Sequence, residues 1–331
     1  MKKILEKLSH GEVLDREEAR RVMTDIGTGV HDELQVAAFL AAYLMRPVTP
    51  QELAGFREAL LALAVPVDLD GLHTLDVCGT GGDGKNTFNI STLTAFVCAG
   101  AGAYVVKHGN AAATSSAGSS DVMQHLGYRF SADSGKLRRE LEETGLCYLH
   151  APLFHPALKS VAPVRKALGV RTFFNILGPM VNPARPQSQL VGVFSREVQD
   201  LYGGVYAGTG TDYAIVHSLD GYDEISLTAP ARLLRPAGEE VVTPRELFLQ
   251  QHSPDTLAGG RDVRENAHLF VKVLRGKGTQ AQTETVLANS TVALQCYFPQ
   301  LSFEEAMEKA RSSLLGGKAY KAFEKLIDMQ P

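Results

Sequence analysis

The period of apolar and polar positions changes near residue 65. Before that point apolar residues recur at helical spacing. The stretch "LDREEARRVMTDIG" offers Asp15 as an N-cap with Glu18 three places on and Gly27 as a stop. "TPQELAGFREALLALA" sets Thr49 as a cap, Pro50 at the first helical position and Glu52 where it closes a capping box. Between them, "LQVAAFLAAYLM" from Leu34 to Met45 is apolar nearly all the way round, which predicts a helix buried on two sides, in a core or between subunits. After Val65, "HTLDVCG", "AYVVKHG", "SQLVGVFS" and "YAIVHS" are short β-rich runs separated by stretches long enough to hold helices. That alternation predicts a mostly parallel sheet flanked by helices.

The prolines of "HAPLFHPALKSVAP" predict a loop-rich crossing near residues 150–165, a hinge between domains. "FEEAMEKARSSLLGGKAYKAFEKLI" predicts an amphipathic helix pair, broken at Gly316 and Gly317, packed on the sheet. The expected fold class is α/β. A small N-terminal helical domain, residues 1–68, joined by a segment near 160–180, precedes a larger α/β domain with a mostly parallel central sheet, residues 69–331. Neither an internal repeat nor a low-complexity tract is visible.

Composition narrows the class without naming it. With 331 residues, 44% hydrophobic and 21% charged, the chain reads as a soluble globular protein long enough for two domains. A net charge of -4 gives no global field toward nucleic acid, so an anionic ligand must be met locally. Cys78, Cys98, Cys147 and Cys296 are widely spaced and form no CxxC pair; they read as buried reduced thiols rather than a zinc site or disulfide framework. The first residues turn charged before an apolar run of signal-peptide length develops, and the weakly polar run Leu93 to Val106 is too short to span a bilayer. A cytoplasmic protein with no membrane partner is expected.

The chemistry concentrates in "DVCGTGGDGKNTFNIST", residues 76–92, which spells two nucleotide-site motifs at once. As a P-loop it fails at the metal ligand, because Asn86 rather than a hydroxyl residue follows Lys85. As a dinucleotide fingerprint it needs an acidic residue at the end of the next strand, where "YVVKHGN" offers a lysine instead. What remains is a strand ending at Cys78, glycines that bring backbone N–H groups close to a ligand, and "NIST" from Asn89 to Thr92 opening a helix. These make an anion cradle, or else a turn that needs glycine only for its shape. Asp83 would repel a phosphate unless the ligand also offers hydroxyls or a metal balances the charge.

"VVKHGNAAATSSAGSSDV", from Val105 to Val122, repeats the logic. A strand runs into Lys107, followed by Asn110, Thr114, Ser115 and Ser119 as donors and a helix from Ser119 or Ser120. "HSLDGYDEISLT" sets Asp220, Asp223 and Glu224 around a glycine turn after a strand, an arrangement suited to magnesium. His108, His150, His155 and His217 lie near these loops without a zinc spacing; His108 is the best placed of them to touch a substrate.

Taken together, these blocks resemble the anthranilate phosphoribosyltransferases, tryptophan-pathway members of the nucleoside-phosphorylase-like transferases. The resemblance rests on "GTGGD" at Gly79, "NIST" at Asn89, "KHGN" at Lys107, "GSSD" at Gly118, "HPALKSVAPVRKALGVRTFFNILGPMVNPA" from His155 and "DGYDE" ending at Glu224. It implies that phosphoribosyl pyrophosphate is bound by Gly79, Gly82, Asp83, Thr87, Asn89, Ile90, Ser91, Thr92, Lys107, His108, Gly109, Asn110, Ala111, Ala112, Ala113, Thr114, Ser115 and Ser119. It implies anthranilate at Gly79, Asn110 and Arg165, and Mg2+, two ions per subunit, at Ser91, Asp223 and Glu224. It further implies a homodimer paired through the helical domain; no residue is assigned as acid or base, since an aromatic amine needs no strong base to act as a nucleophile. This chain departs from the family pattern at Ala111, Thr114 and Ser116, which removes positive charge from the second loop. A nucleoside phosphorylase, which would use inorganic phosphate, and a nucleic-acid-binding relative are the rival readings. The acidic net charge and the Asp223–Glu224 pair count against them.

Overall fold

The computed structural model describes residues 1–69, 71–112 and 115–331. The N-terminal part is four helices: α1 (Lys2–Ser9), α2 (Arg16–Gly27), α3 (Glu33–Ala42) and α4 (Pro50–Ala62). Both predicted capping boxes form. Asp15 accepts from the Glu18 N–H and Thr49 from the Glu52 N–H, while each glutamate reaches back to its cap's N–H. Glu52 is fully buried and also takes hydrogen bonds from the Leu14 N–H, the Tyr43 hydroxyl and Arg46, so it ties three segments together.

The α3 region meets its prediction on one side only. Val36, Phe39 and Leu40 are buried, whereas Leu34 is 83% and Met45 87% exposed, and the helix ends at Ala42 rather than Met45.

The rest of the chain runs β1 (Leu75–Gly79), α5 (Ile90–Gly100), β2 (Val105–Gly109), α6 (Ser119–His125), α7 (Ser134–Thr144), β3 (Leu146–His150), α8 (Ala151–Phe154), α9 (Ala157–Leu168) and α10 (Phe174–Leu177). It continues with β4 (Ser188–Gly192), α11 (Arg196–Tyr206), β5 (Asp212–Ser218), β6 (Ala231–Arg235), β7 (Gly238–Val242), α12 (Val263–Leu274), α13 (Gln280–Tyr297), α14 (Phe303–Leu315) and α15 (Lys318–Asp328). The seven strands form one sheet in the order β3-β2-β1-β4-β5-β6-β7. β1 to β5 are parallel, and β6 and β7 add an antiparallel edge. The four strand runs read from the sequence are β1, β2, β4 and β5; β3 and the β6–β7 edge are additional.

The core is layered as α/β patterning requires. One face of the sheet carries α5 and α13 with Phe96, Phe270 and Leu294 in a single cluster. The opposite face shares a cluster with the helical bundle, in which Val191, Val193 and Ile215 meet Phe39, Phe56 and Phe173. The C-terminal helix pair breaks at Gly316 and Gly317 as expected, but it packs on α5 and α13 rather than on the strands, because those two helices already cover that face.

The proline-rich stretch differs more. Pro152 and Pro156 lie at helix starts and Pro163 lies inside α9, so residues 150–165 are largely helical. A proline is tolerated in a first turn because its missing N–H has no partner there to lose. α9 packs against α2 and α3, which attaches this segment to the helical bundle. All four cysteines are free and buried. Among the described residues, no helix is long and apolar enough to cross a membrane.

Candidate functional site

β1 and β4 are neighbours whose crossovers lead in opposite directions, so the sheet leaves a crevice outside their C-terminal ends. A cleft of ≈ 450 Å³ opens there. Its walls include every described residue expected to bind donor, acceptor or metal: the glycine loop to Thr92, Lys107 to Ala112, Ser115, Ser119, Arg165, Asp223 and Glu224. Ala113 and Thr114, named with them in the sequence, lie outside the described residues.

Close approach explains two glycines. A Cβ on Gly79 would stand 2.6 Å from Asp223 Oδ2, and one on Gly192 would stand 1.5 Å from the Asp223 carbonyl oxygen. The ends of β1 and β4 are bare so that the Asp223 loop can lie across them. The Gly81 N–H then donates to Asp223 Oδ2 at 2.6 Å. Gly81, Gly82 and Gly84 all take positive φ, which folds the loop back toward the start of α5.

At that start, Asn89 is the N-cap but makes no side-chain cap bond, and its Oδ1 is buried without a partner. Thr80 Oγ1, Thr92 Oγ1 and Asp83 Oδ2 are likewise unpartnered. Buried polar atoms are nearly always hydrogen-bonded, so this concentration marks a surface made to receive a polar ligand.

The second loop follows β2. The Asp121 carboxylate accepts from the Ala112 and Gly118 N–H groups, both at 2.8 Å, which pinches the loop closed. Ser119 is held by the Tyr148 hydroxyl at 2.6 Å. Lys107 is buried rather than projecting: its Nζ donates to the Val77 carbonyl at 2.7 Å and to Ser91 Oγ at 3.4 Å. Burial lowers its pKa, opposed by the charge of the equally buried Asp76.

The Glu224 charge acts on the same ammonium, and Asp223 and Asp83 act on Glu224. Burial, then the charge of Asp83, pushes Asp223 up to about 7. Burial, then the charge of Asp223, raises Glu224, against which Lys107 and the Ser91 N–H work. Among the described residues, no three His, Cys, Asp or Glu side chains are arranged to cage an ion by themselves. Magnesium rarely needs such a cage, since it keeps waters and uses one or two carboxylates plus substrate phosphates. A raised, buried carboxylate pair with the unpartnered Asp83 Oδ2 beside it therefore fits a divalent cation.

The opposite wall comes from residues 155–179. Arg165 lies 5.3 Å over the Phe174 ring, and burial lowers its pKa with no carboxylate among the described residues opposing that shift. Of three further residues in this segment, only His155 stands out in the sequence, as one of four histidines near the loops. His155 packs its ring 5.3 Å from that of His108, Thr172 leaves its hydroxyl unpartnered, and Arg171 donates to the Gly82 carbonyl at 2.7 Å. For Thr172 and Arg171 the only sequence signal is membership of the same block as Arg165. Burial pulls His108 down to about 3 and His155 to about 4, so both rings are neutral at neutral pH. His108 bonds the Gly178 backbone and leaves Nε2 unpartnered toward the cleft.

A helical bundle beside an α/β sheet, with a crevice and a buried acidic pair at the strand ends, is the arrangement of a glycosyl transferase family. The chain matches the glycosyl transferase family, helical bundle domain, over residues 2–64 and the glycosyl transferase family, a/b domain, over residues 71–320. Within it, the chain belongs to the anthranilate phosphoribosyltransferases. It is 48% identical over 329 residues to the anthranilate phosphoribosyltransferase of Flavobacterium johnsoniae, covering 99% of each. The crystal structure of the Thermus thermophilus enzyme superposes with TM-score 0.92 at 36% identity, covering 98% of both chains. The Saccharomyces cerevisiae enzyme in complex with PRPP and Mg gives TM-score 0.90 at 28% identity, covering 98% of this chain and 96% of that one. The same yeast enzyme in complex with 4-fluoroanthranilate gives 0.87 at 27%, covering 98% and 95%.

Proposed function

We propose that the chain transfers the phosphoribosyl group of 5-phosphoribosyl 1-pyrophosphate to the amine of anthranilate, giving N-(5-phosphoribosyl)anthranilate and pyrophosphate, a step of tryptophan biosynthesis. The observation that carries this is the meeting of two hydrogen-bonding loops with a buried carboxylate pair at one crevice. Phosphates suit the loops' N–H and hydroxyl donors, and ribose hydroxyls suit the unpartnered Asp83 Oδ2. Relatives bound to PRPP and Mg and to 4-fluoroanthranilate support both substrates.

In this reading the C–O bond to pyrophosphate breaks as the anthranilate nitrogen bonds to the anomeric carbon, through an oxocarbenium-like state, and the proton the nitrogen then sheds is taken up by water or the departing pyrophosphate. Magnesium, when bound by Asp223, Glu224 and Ser91, supplies neutralisation of the departing pyrophosphate. The chain's own residues do the positioning. The glycine loop and the start of α5 hold the donor, and Arg165, stacked on Phe174, clamps the anthranilate carboxylate. An aromatic amine is unprotonated at neutral pH, so no strong base is required; the neutral His108 presents Nε2 as a hydrogen-bond partner for it.

Two magnesium ions per subunit belong to this reading, as the acidic groups divide between Glu224 beside Ser91 and Asp223 beside Asp83. So does a cytoplasmic homodimer, for which the exposed Val30, Leu34, Leu44 and Met45 supply an apolar pairing surface. Incubation of the pure protein with the donor sugar, magnesium and anthranilate is the test. Loss of anthranilate fluorescence that requires all three components is expected. Unchanged fluorescence, or phosphorolysis of pyrimidine nucleosides instead, would overturn the reading.

A further inference from the structure

We propose that Asn266, in the first turns of α12, is a positioning residue for the donor site, acting through Ser116. The proposal rests on the functional reading above and assigns a role to a segment about 150 residues downstream of the loops it would set. Asn266 is buried, and its amide is committed in both directions. Its Oδ1 accepts from the Gly260 N–H at 3.0 Å, while Nδ2 donates to Ser116 Oγ at 3.0 Å and to the Asp262 carbonyl at 2.8 Å. Ser116 Oγ in turn donates to the Gly260 carbonyl at 2.7 Å, which closes a ring of three residues with no donor left over.

The ring reaches both ligand loops. The Ser116 N–H donates to Asn86 Oδ1 at 3.0 Å, and the Asn86 carbonyl accepts from the Gly259 N–H at 2.8 Å. Asn86 sits in the glycine loop with φ 47, a conformation that an asparagine tolerates when its side chain is held locally. Thr87 bridges to Ala258, and the Phe88 N–H donates to the Leu257 carbonyl at 3.1 Å, so residues 86–88 run along residues 257–259. The two loops are therefore tied to each other through Ser116 and Asn86, and both are tied to the Gly259–Gly260 segment that the Asn266 amide, itself off the cleft wall, holds.

Geometry also says which direction the effect takes. Ser116 follows Ser115, a wall of the cleft, and precedes the Gly118–Asp121 pinch. Loss of the ring frees the second loop relative to the first without altering Arg165, His108 or the acidic pair. A donor molecule that spans both loops then has to order them on binding, whereas the acceptor does not.

Steady-state kinetics of Ser116→Ala, Asn266→Ala and Ser116→Thr provide the test, with calorimetric titration of the donor sugar as a direct check on affinity. Each alanine variant should raise the donor KM about five- to thirtyfold while the anthranilate KM stays within about twofold. Ser116→Thr, which keeps the hydroxyl, should restore the donor KM, and the double alanine variant should be no worse than the poorer single one. Alanine variants with a wild-type donor KM, or with equal rises for both substrates, would overturn the inference while leaving the transferase reading intact. Should Asn266→Ala fail to fold, Ser116→Ala, on a half-buried loop position, decides alone. A wild-type protein without turnover would overturn the functional reading and this inference with it.

Discussion

Gly192→Ala tests whether the acidic pair owes its placement to the bare end of β4. The added carbon would stand 1.5 Å from the Asp223 carbonyl oxygen and 2.5 Å from its carbonyl carbon. The obstacle is backbone, so no rotamer change relieves it. Reaching even the 3.0 Å that Cβ contacts essentially never go below requires the Asp223 segment to retreat by ~1.5 Å. A misplacement of ~1 Å at reacting groups costs about a hundredfold in rate, and overpacking a tight contact costs about 1–3 kcal/mol of stability. Turnover, followed as loss of anthranilate fluorescence at saturating donor and magnesium, should therefore fall about a hundredfold. The magnesium concentration for half-maximal rate should rise. Gly208→Ala is the control, because nothing stands within 4 Å of its added carbon. A Gly192→Ala enzyme with wild-type rate and magnesium response would refute the idea that the Asp223 loop must lie against the strand end.

Arg165→Ala should raise the KM for anthranilate far more than that for the donor; steady-state kinetics showing equal effects would reject the carboxylate clamp. Glu52 carries an acid-stability prediction. Burial alone would raise its pKa, but hydrogen bonds from Arg46, the Leu14 and Thr49 N–H groups and Tyr43 outweigh that and hold it at about 2 against an ordinary 4.5. A depressed carboxylate stabilises the fold fully above about pH 4.5, and its contribution of about 3 kcal/mol is lost as pH falls toward 2. Glu52→Gln should lower Tm at neutral pH and flatten the fall between those limits, and an unchanged acid-unfolding curve would contradict this. Leu34→Glu should give a monomer in analytical ultracentrifugation with its helical content intact. A dimer unaffected by that charge would place the pairing surface elsewhere.

What was legible in the sequence followed from local chemistry. Asp15 with Glu18, and Thr49 with Glu52, announce helix starts because a cap and its third residue satisfy each other's backbone groups over one turn. The ligand loops were legible for the same reason, as glycines and hydroxyl residues sit directly between a strand and a helix. β3 was missed because "LCYLH" is a five-residue run set directly between a helix C-cap glycine and a further helix. β6 and β7 were missed because Arg232, Glu239 and Glu240 make an edge hairpin look like a charged loop; in fact Arg232 pairs with Glu239 across the two strands.

Long-range pairing left less trace. Arg171 joins the cleft because α9 is carried by the helical bundle to face loops some 80 residues earlier in the chain, and no local spacing records that. Lys107 stands in the sequence as a charge at a strand end, and the parallel strands around it bury its ammonium against Val77 and Ser91. Asp76 and Gln189, which meet beneath the cleft between β1 and β4, are hidden in the sequence among apolar neighbours.

A crystal structure of the protein grown with 5-phosphoribosyl 1-pyrophosphate and magnesium tests the central claim most directly. Density for the sugar's two phosphate groups should lie against residues 79–92 and 107–119, with metal density between the pyrophosphate and the Asp223–Glu224 pair. Donor density bound away from both loops, or bound there without metal beside those carboxylates, would contradict it.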